Sequence, residues 1–202
     1  MTLGLATITD IIEREIEGIR NIPVQDSILQ AVDLIHDHVH NRGGKLIISG
    51  LGKAGQIGHN MATTLSSTGT TAIFLHPTEA QHGDLGIIQK NDLLFLLSNS
   101  GKTREIVELL PLARRLYPDI KSIALTGHPE NELGANVDVC LSTGYPKEVC
   151  PLGLTPTTST TVMTVLGDVI VVLMMQKIGF TKADYAARHH SGYLGHKSRT
   201  DE

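Results

Sequence analysis

Aromatic residues are scarce in this sequence, and tryptophan is absent. Phe, Tyr and Trp together make up 3% of the 202 residues, and the net charge is -4 with no block of like charge. Nucleic-acid-binding proteins usually combine base-stacking aromatic side chains with a basic face, and neither feature is present. Nucleic acid is therefore excluded as the expected partner, and we expect any ligand to be held by polar contacts.

Cysteines and long apolar runs are also few. Cys140 and Cys150 do not have the spacing of metal ligands, and the N-terminus lacks the charged-then-apolar pattern of a signal peptide. The longest apolar stretch, Val169–Met175, is bounded by Asp168 and Gln176 and is shorter than the ~20 residues that cross a bilayer. We expect a cytoplasmic protein without a membrane partner, in which this stretch is a buried helix.

The length and the hydrophobic pattern predict one α/β domain. Residues 7–20 and 25–41 carry apolar side chains at helical spacing. From Lys45 onward, helical segments alternate with five short apolar runs: LIIS, TAIFL, LLFLLS, SIALT and VDVCLS. Such alternation is typical of a parallel sheet covered by helices on both faces.

We therefore predict a three-layer αβα sandwich with a five-stranded parallel sheet. A single domain is expected over residues 1–202, with N-terminal helices in 1–44 and a C-terminal helix and tail in 155–202. In open α/β sheets, ligands bind at the carboxyl ends of the strands. The loops at that edge are the candidates for a functional site.

The loop after the first predicted strand has the pattern G-x-G-x-x-G. A nicotinamide site would also need an acidic residue at the end of the second strand, where the chain instead reads Leu75-His76-Pro77. Gly50 and Gly52 allow an anion to approach the backbone at a helix start, and Lys53 adds a positive charge there. The alternative is a tight strand-to-helix turn with a solvated lysine.

The loop after the third strand is rich in hydroxyl and amide groups. Ser98, Asn99, Ser100 and Thr103 precede a predicted helix, an arrangement that suits a phosphate. A nucleotide P-loop would need glycine at position 96, which is Leu96, so ATP hydrolysis is not expected. The alternative is an ordinary helix cap.

Two further loops carry groups that can ligate or exchange protons. The loop from His76 to Asp84 holds two imidazoles and two carboxylates, which suit either zinc or sugar hydroxyls. Glu148 precedes a run of prolines and hydroxyls at the start of the last long helix. It is either a surface glutamate or an acid of the site.

Taken together and in order, these loops resemble the sugar isomerase (SIS) domain family, and within it the arabinose 5-phosphate isomerases. The segments that carry the resemblance are GLGKAGQIG, SSTGT followed by HPTEAQHGD, SNSGKTREI, KEVCPLGLTPTTSTT and HHSGYLG. The resemblance implies interconversion of D-ribulose 5-phosphate and D-arabinose 5-phosphate, which supplies the eight-carbon acidic sugar Kdo of lipopolysaccharide or capsule. Long members of the family append a pair of CBS modules, and we expect none here.

The resemblance also implies roles for individual residues. The catalytic residues that it implies are Lys53, Glu105, Glu148 and His189. The implied phosphate and sugar contacts are Gly69, Thr70, His82, Ser98, Asn99, Ser100 and Thr103. His76 corresponds to a zinc ligand in the family, so zinc is the metal that this site could hold. The closing motif reads His-His-Ser-Gly where the family usually has His-Pro-Gly-Gly, which makes His190 a rival of His189.

The expected reaction is removal of a proton beside the carbonyl, giving a cis-enediol that is reprotonated at the neighbouring carbon. His189 or Glu148 is the base, Lys53 stabilises the enediolate, and Glu105 orients Lys53. No cofactor is required. We expect a homodimer or homotetramer that uses the N-terminal helices as an interface and in which His189 serves a neighbour's site. The alternatives are isomerisation of another ketose phosphate and a non-catalytic phosphosugar-binding sensor.

Overall fold

The computed structural model describes residues 4–199, which are built around a five-stranded sheet. The strands are β1 (Leu46–Gly50), β2 (Ala72–Phe74), β3 (Leu93–Leu97), β4 (Lys121–Thr126) and β5 (Val139–Ser142). Their order across the sheet is β2-β1-β3-β4-β5, and every pairing is parallel. The predicted fold class is confirmed; the ends of the predicted domain, residues 1–3 and 200–202, lie outside the described residues.

Helices connect the strands and cover both faces of the sheet. In chain order they are α1 (Leu5–Arg20), α2 (Asp26–Ile35), α3 (Lys53–Ser67), α4 (Pro77–Ala80), α5 (Arg104–Leu116), α6 (Glu132–Asn136), α7 (Thr158–Lys177), α8 (Lys182–Arg188) and α9 (Gly192–Lys197). A π-helical turn (His36–Asn41) extends α2, and a 3₁₀ turn (Asp84–Ile87) precedes β3.

The alternation of side chains along each strand divides the core into two halves. Ile48 and Phe95 face the side covered by α2, α3 and α7, whereas Ile47 and Leu96 face the side covered by α4, α5 and α6. All four side chains are fully buried. Because both faces are covered, the strands read as continuous apolar runs, as the sequence predicted.

The longest helix, α7, packs against α3, α1 and α2. It has 20 residues and contains an 18-residue window of mean hydropathy 1.7, so by length and composition alone it could cross a membrane, contrary to our expectation from the shorter run Val169–Met175. Half of its apolar window is buried inside the fold. Because its buried half packs against α1, α2 and α3, α7 is read as a core helix of the domain.

The amino ends of β1 and β3 are joined by a buried carboxylate. Asp92 is 1% exposed. It accepts hydrogen bonds from Lys45 N at 2.9 Å, Lys45 Nζ at 2.6 Å and Gln89 N at 2.7 Å. These contacts fix the register of the two strands whose carboxyl ends carry the candidate site.

Candidate functional site

The topology places a crevice between the carboxyl ends of β1 and β3. The chain leaves β1 toward β2 on one side, and β3 leads toward β4 on the other. Loops that diverge in this way leave a crevice at the switch point, where α/β proteins bind ligands. The loops at residues 51–52 and 98–103 therefore lie side by side at the carboxyl edge of the sheet, where the candidate loops were expected.

The two glycines of the β1 loop, Gly50 and Gly52, have different structural roles. A Cβ on Gly50 would lie 2.8 Å from the carbonyl oxygen of Ala54, so Gly50 is needed for the tight turn into α3. Gly52 has a positive φ of 61°, and a Cβ there would meet nothing within 4 Å. Gly50 thus has a packing role, whereas Gly52 leaves open space beside the start of α3 for an approaching anion.

The β3 loop is held in a compact form by its own hydroxyls. Ser98 Oγ lies 2.7 Å from Thr103 Oγ1, and Ser98 is 2% exposed. Ser100 Oγ accepts from Lys102 N at 3.2 Å, and Gly101 N donates to Ser98 O at 3.1 Å. We call residues 98–103 the cradle.

The loop after β4 supports the cradle from outside. Asn131 Nδ2 donates to Ser100 O at 2.8 Å, and Gly127 N donates to Asn99 O at 3.0 Å. The Oδ1 atom of Asn99 is buried and has no hydrogen-bond partner within residues 4–199. An amide oxygen accepts hydrogen bonds, so this atom can be satisfied by a donor such as a sugar hydroxyl but not by a phosphate oxygen.

The cradle also leaves the start of α5 uncapped. Thr103 stands at the N-cap position but makes no side-chain cap bond, because its hydroxyl is paired with Ser98. The first N–H groups of a helix have no intrahelical acceptor, and the helix dipole favours an anion beside them. The cradle therefore functions poorly as an ordinary cap and suits a phosphate.

Glu148 is anchored at the start of α7. Its Oε2 atom accepts from Thr157 N at 2.7 Å, Thr157 Oγ1 at 2.9 Å and Ser159 N at 3.2 Å. Partial burial raises its pKa, but hydrogen bonds from Ser159 and Thr157 outweigh burial, and the net pKa is lowered. Glu148 is thus not an ordinary surface glutamate, and the chain keeps it ionised.

Lys53 lies near the same end of α7. It is exposed at the first position of α3 and lines a groove of about 290 Å³ together with Gln56, Asn60, Thr160 and Thr164, among others. Thr160 is one turn along α7 from Thr157, which binds Glu148. The fold therefore brings the predicted cation and one predicted acid to a common helix end.

Glu105 stands in the first turn of α5, directly after the cradle. No ion pair between Glu105 and Lys53 forms in the part of the chain that the structure describes. The expectation that Glu105 orients Lys53 is not met in a single chain. An acid in the first turn of a helix also stabilises the helix dipole, which accounts for Glu105 without a catalytic role.

His189 contacts its own tail. Its ring stacks on Tyr185 with centroids 3.7 Å apart, and its Nδ1 lies 3.0 Å from the Tyr185 carbonyl oxygen. A carbonyl only accepts hydrogen bonds, so Nδ1 carries the proton and Nε2 is the basic nitrogen of the neutral ring. The rival His190 is more exposed than His189, and its carbonyl oxygen accepts from Arg199 Nη2 at 3.3 Å.

Gly69 and Thr70 are not near the cradle of the same chain. They precede β2, whose first residue pairs with Leu46 at the amino end of β1. Gly50 and the crevice lie four residues further along the strand, about 13 Å away. Thr70 is buried, and its hydroxyl contacts His40 Nε2 at 3.1 Å. Within one chain, Gly69 and Thr70 therefore do not contact a ligand in the crevice, contrary to the expectation.

His76 and His82 lie after β2, at the carboxyl edge of the sheet, and both are exposed. His76 is the N-cap residue of α4. Within residues 4–199, no group of three or more His, Cys, Asp or Glu side chains comes together to hold a metal. The residues of one chain therefore do not fit a zinc site, and no step is assigned to zinc.

Some residues of the site were not predicted. Thr157 and Ser159 bind Glu148, but only the cluster of hydroxyls before α7 hinted at a role for them. Cys150 lies two residues after Glu148 in the same loop, and no role was predicted for it. Hydrogen bonds from Thr155, and from the backbone N–H groups of Leu154 and Leu152, lower the pKa of its thiol to about 6.

Known proteins resemble this chain over most of its length. The chain is 42% identical to arabinose 5-phosphate isomerase KdsD of Salmonella typhi over 188 residues, which are 93% of this chain and 56% of that protein. It is 47% identical to the KdsD of Pseudomonas aeruginosa over 154 residues, 76% of this chain and 47% of that one. The chain thus spans about half the length of these relatives.

Solved structures of sugar-phosphate proteins are also similar to this chain. A Bacteroides fragilis protein, assigned as a phosphosugar isomerase involved in capsule formation, is 57% identical with a TM-score of 0.92, covering 94% of this chain and 98% of that one. A protein of Escherichia coli CFT073 in complex with arabinose 5-phosphate is 30% identical with a TM-score of 0.85, covering 92% and 96%. The family model of the SIS domain matches residues 39–173. This chain belongs to the SIS domain family.

Proposed function

We propose that this protein is an aldose-ketose isomerase that interconverts D-ribulose 5-phosphate and D-arabinose 5-phosphate. The observation that carries the proposal is the cradle at the uncapped start of α5, which faces the β1 loop that leads to Lys53. The names of the KdsD relatives and the arabinose 5-phosphate complex of the Escherichia coli protein support the choice of substrate.

The phosphate is assigned to the cradle. Ser98, Ser100 and Thr103 offer hydroxyls, and the first turn of α5 offers N–H groups. These groups contact the phosphate in both the ground state and the transition state. They therefore contribute binding energy that holds the reacting carbons in place.

The proton is moved between C1 and C2 of the sugar. A base removes a proton beside the carbonyl, electrons shift to the carbonyl oxygen, and the enediol is reprotonated at the other carbon. Lys53 is the cation assigned to the developing enediolate. No redox cofactor enters, because the hydrogen moves as a proton within one substrate.

Of the two candidate bases, we assign His189 rather than Glu148. The lowered pKa of Glu148 makes it a weak proton acceptor. The Tyr185 carbonyl also leaves Nε2 of His189 free to accept a proton. In this assignment Glu148 remains ionised and exchanges the hydroxyl protons.

His189 has to reach a site beyond its own tail. The α8 segment contacts α9, and within residues 4–199 the hydrogen bonds and ring contact of His189 are with Tyr185 and Arg199, not with the cradle. We propose a homodimer or homotetramer in which His189 of one chain enters the crevice of another. Exposed apolar side chains on α1, including Leu5, Ile8 and Ile12, suit such an interface.

The proposal places the enzyme in the cytoplasm, where its product supplies synthesis of Kdo for lipopolysaccharide or capsule. The assigned role of the Bacteroides fragilis protein in capsule formation supports this direction.

The test is turnover with purified protein. D-Arabinose 5-phosphate, unphosphorylated D-arabinose and a panel of hexose and heptose phosphates are supplied, and ketose formation is measured. We expect turnover with D-arabinose 5-phosphate and none with arabinose, because the cradle requires the phosphate. A sugar phosphate that raises the melting temperature without being converted would instead indicate a sensor.

Variants test the cradle itself. Thr103→Val keeps the shape of the side chain but removes its hydroxyl, and a lost hydrogen bond to a charged group is worth about 1.5 kcal/mol. We expect KM to rise about tenfold with kcat unchanged. Thr63→Val, at an exposed threonine on α3 whose hydroxyl binds its own helix, is the matched control.

A further inference from the structure

The first helix contacts the loop that carries Glu148. Arg14 Nη2 on α1 donates to the carbonyl oxygen of Glu148 at 3.3 Å. Thr158 Oγ1 accepts from Val149 N at 3.1 Å and donates to Glu15 Oε1 at 3.0 Å. The Glu148 carbonyl and the Val149 N–H belong to one peptide unit, so α1 holds the carbonyl directly and the N–H indirectly, through Thr158 of α7.

The contact between Glu15 and Thr158 is buried and closely packed, whereas Arg14 lies at the surface. Thr158 is 1% exposed, and Glu15 Oε2 is buried without a hydrogen-bond partner within residues 4–199. A Cβ on Gly18, one turn along α1 from Glu15, would lie 2.5 Å from Thr158 Cγ2. A glycine at position 18 is therefore required for α1 to approach Thr158 closely enough for Glu15 to bind it.

A carboxylate in this position has a cost that packing alone does not explain. Burying an acid with one oxygen unsatisfied is unfavourable, and an apolar side chain would pack there without that penalty. What the carboxylate adds is an acceptor for the Thr158 hydroxyl. That hydroxyl is then oriented to receive the N–H of Val149.

The side chain of Glu148 is held at its other end by α7. Its Oε2 atom has three donors, two on Thr157 and one on Ser159. Both ends of Glu148 are thus held by hydrogen bonds: the backbone by Arg14 of α1 and by Thr158, and the carboxylate by Thr157 and Ser159.

We propose that Arg14 and Glu15 are positioning residues for Glu148, with Glu15 acting through Thr158. The inference rests on the proposed isomerase function and deepens it, because it assigns the N-terminal helix a part in the reaction without contact to substrate. A displacement of a reacting group by about 1 Å lowers rates by as much as 100-fold, which is the scale of effect available to such residues.

The test compares Glu15→Ala with Glu15→Gln and with Glu13→Ala, a control at an exposed glutamate on the same helix. We expect Glu15→Ala to lower kcat about tenfold or more and to change KM less than twofold, because the cradle is intact. Glu15→Gln retains a carbonyl oxygen for Thr158 and should restore most of kcat. Arg14→Met should lower kcat in the same way as Glu15→Ala.

A purely structural role predicts a different pattern. Glu15→Ala would then lower the melting temperature while folded protein kept the wild-type kcat, and this result overturns the proposal. A double-mutant cycle adds a second criterion: in a Glu148→Gln background, Glu15→Ala should have no further effect on kcat. Full additivity of the two effects also overturns it.

Hydrogen exchange separates this inference from the proposed function. Glu15→Ala should speed amide exchange in the segment 148–160 relative to Glu13→Ala, whether or not the substrate assignment is right. Wild-type protein that lacks isomerase activity, together with faster exchange in Glu15→Ala, would reject the function and keep the structural link. Unchanged exchange in Glu15→Ala would reject the link itself.

Discussion

Replacing Lys53 by methionine tests the chemical step apart from binding. The substitution keeps an unbranched side chain but removes the charge at the first position of α3. Lys53 faces an open groove beside Thr160, so the effective dielectric constant around its charge lies between that of a protein surface and that of water. A unit charge pair at 4 Å is worth about 4 kcal/mol near a protein surface and about 1 kcal/mol in water.

An intermediate value of about 2.7 kcal/mol corresponds to about a 100-fold loss of kcat. KM for D-ribulose 5-phosphate should stay within about threefold, because the phosphate is assigned to residues 98–103 and not to Lys53. The assay is steady-state isomerisation by Lys53→Met, with Lys90→Met, at an exposed lysine before β3, as the control. An unchanged kcat, or a loss confined to KM, would refute the assigned role of Lys53.

Three further predictions concern stability and reactivity. Asp92→Ala leaves the donors that bind Asp92 unpaired and should lower the free energy of unfolding by about 3–5 kcal/mol, or Tm by about 6–20 °C in calorimetry. The control Asp119→Ala, at an exposed residue, should have little effect. Similar Tm shifts in the two variants would contradict the contact between β1 and β3. Cys150 should react with iodoacetamide at pH 7 faster than Cys140, because hydrogen bonds lower the pKa of the Cys150 thiol to about 6 and burial raises the pKa of the Cys140 thiol. Equal rates would argue against the structure of the loop around Cys150. A carboxylate with a lowered pKa contributes stability that is present above its unfolded-state pKa and lost as the pH falls through its folded-state pKa. The Tm difference between wild type and Glu148→Gln should therefore be largest at neutral pH and should shrink as the pH falls through the lowered pKa of Glu148, and a constant difference would exclude the hydrogen bonds to Thr157.

The sheet was predictable because its strands are buried on both faces. Runs such as LLFLLS and SIALT have to be apolar at every position when helices cover the whole sheet, and the alternation with helical segments then gives parallel pairing. The cradle was predictable for a related reason. Loops after parallel strands meet at one edge, so hydroxyls that follow β3 necessarily lie near the glycines that follow β1.

The remaining features depend on contacts between distant parts of the chain. The binding of Glu148 by Thr157, and the approach of Glu15 to Thr158, join segments that the local sequence does not connect. For Gly69 and Thr70, the local sequence led to a wrong expectation. A motif match carried a ligand contact to them, but they precede a strand, and a position before a strand lies at the edge of the sheet away from the crevice.

The central claim is a proton transfer within a pentose phosphate, and proton NMR in heavy water tests it most directly. Purified protein is given D-ribulose 5-phosphate in D₂O, and the signals of new aldose are followed together with deuterium content at its C2. The account predicts D-arabinose 5-phosphate that carries deuterium at C2, since the base exchanges its proton with solvent before the enediol is reprotonated. Recovery of unchanged ketose without deuterium at C1, under conditions in which the sugar phosphate raises Tm, would contradict the account.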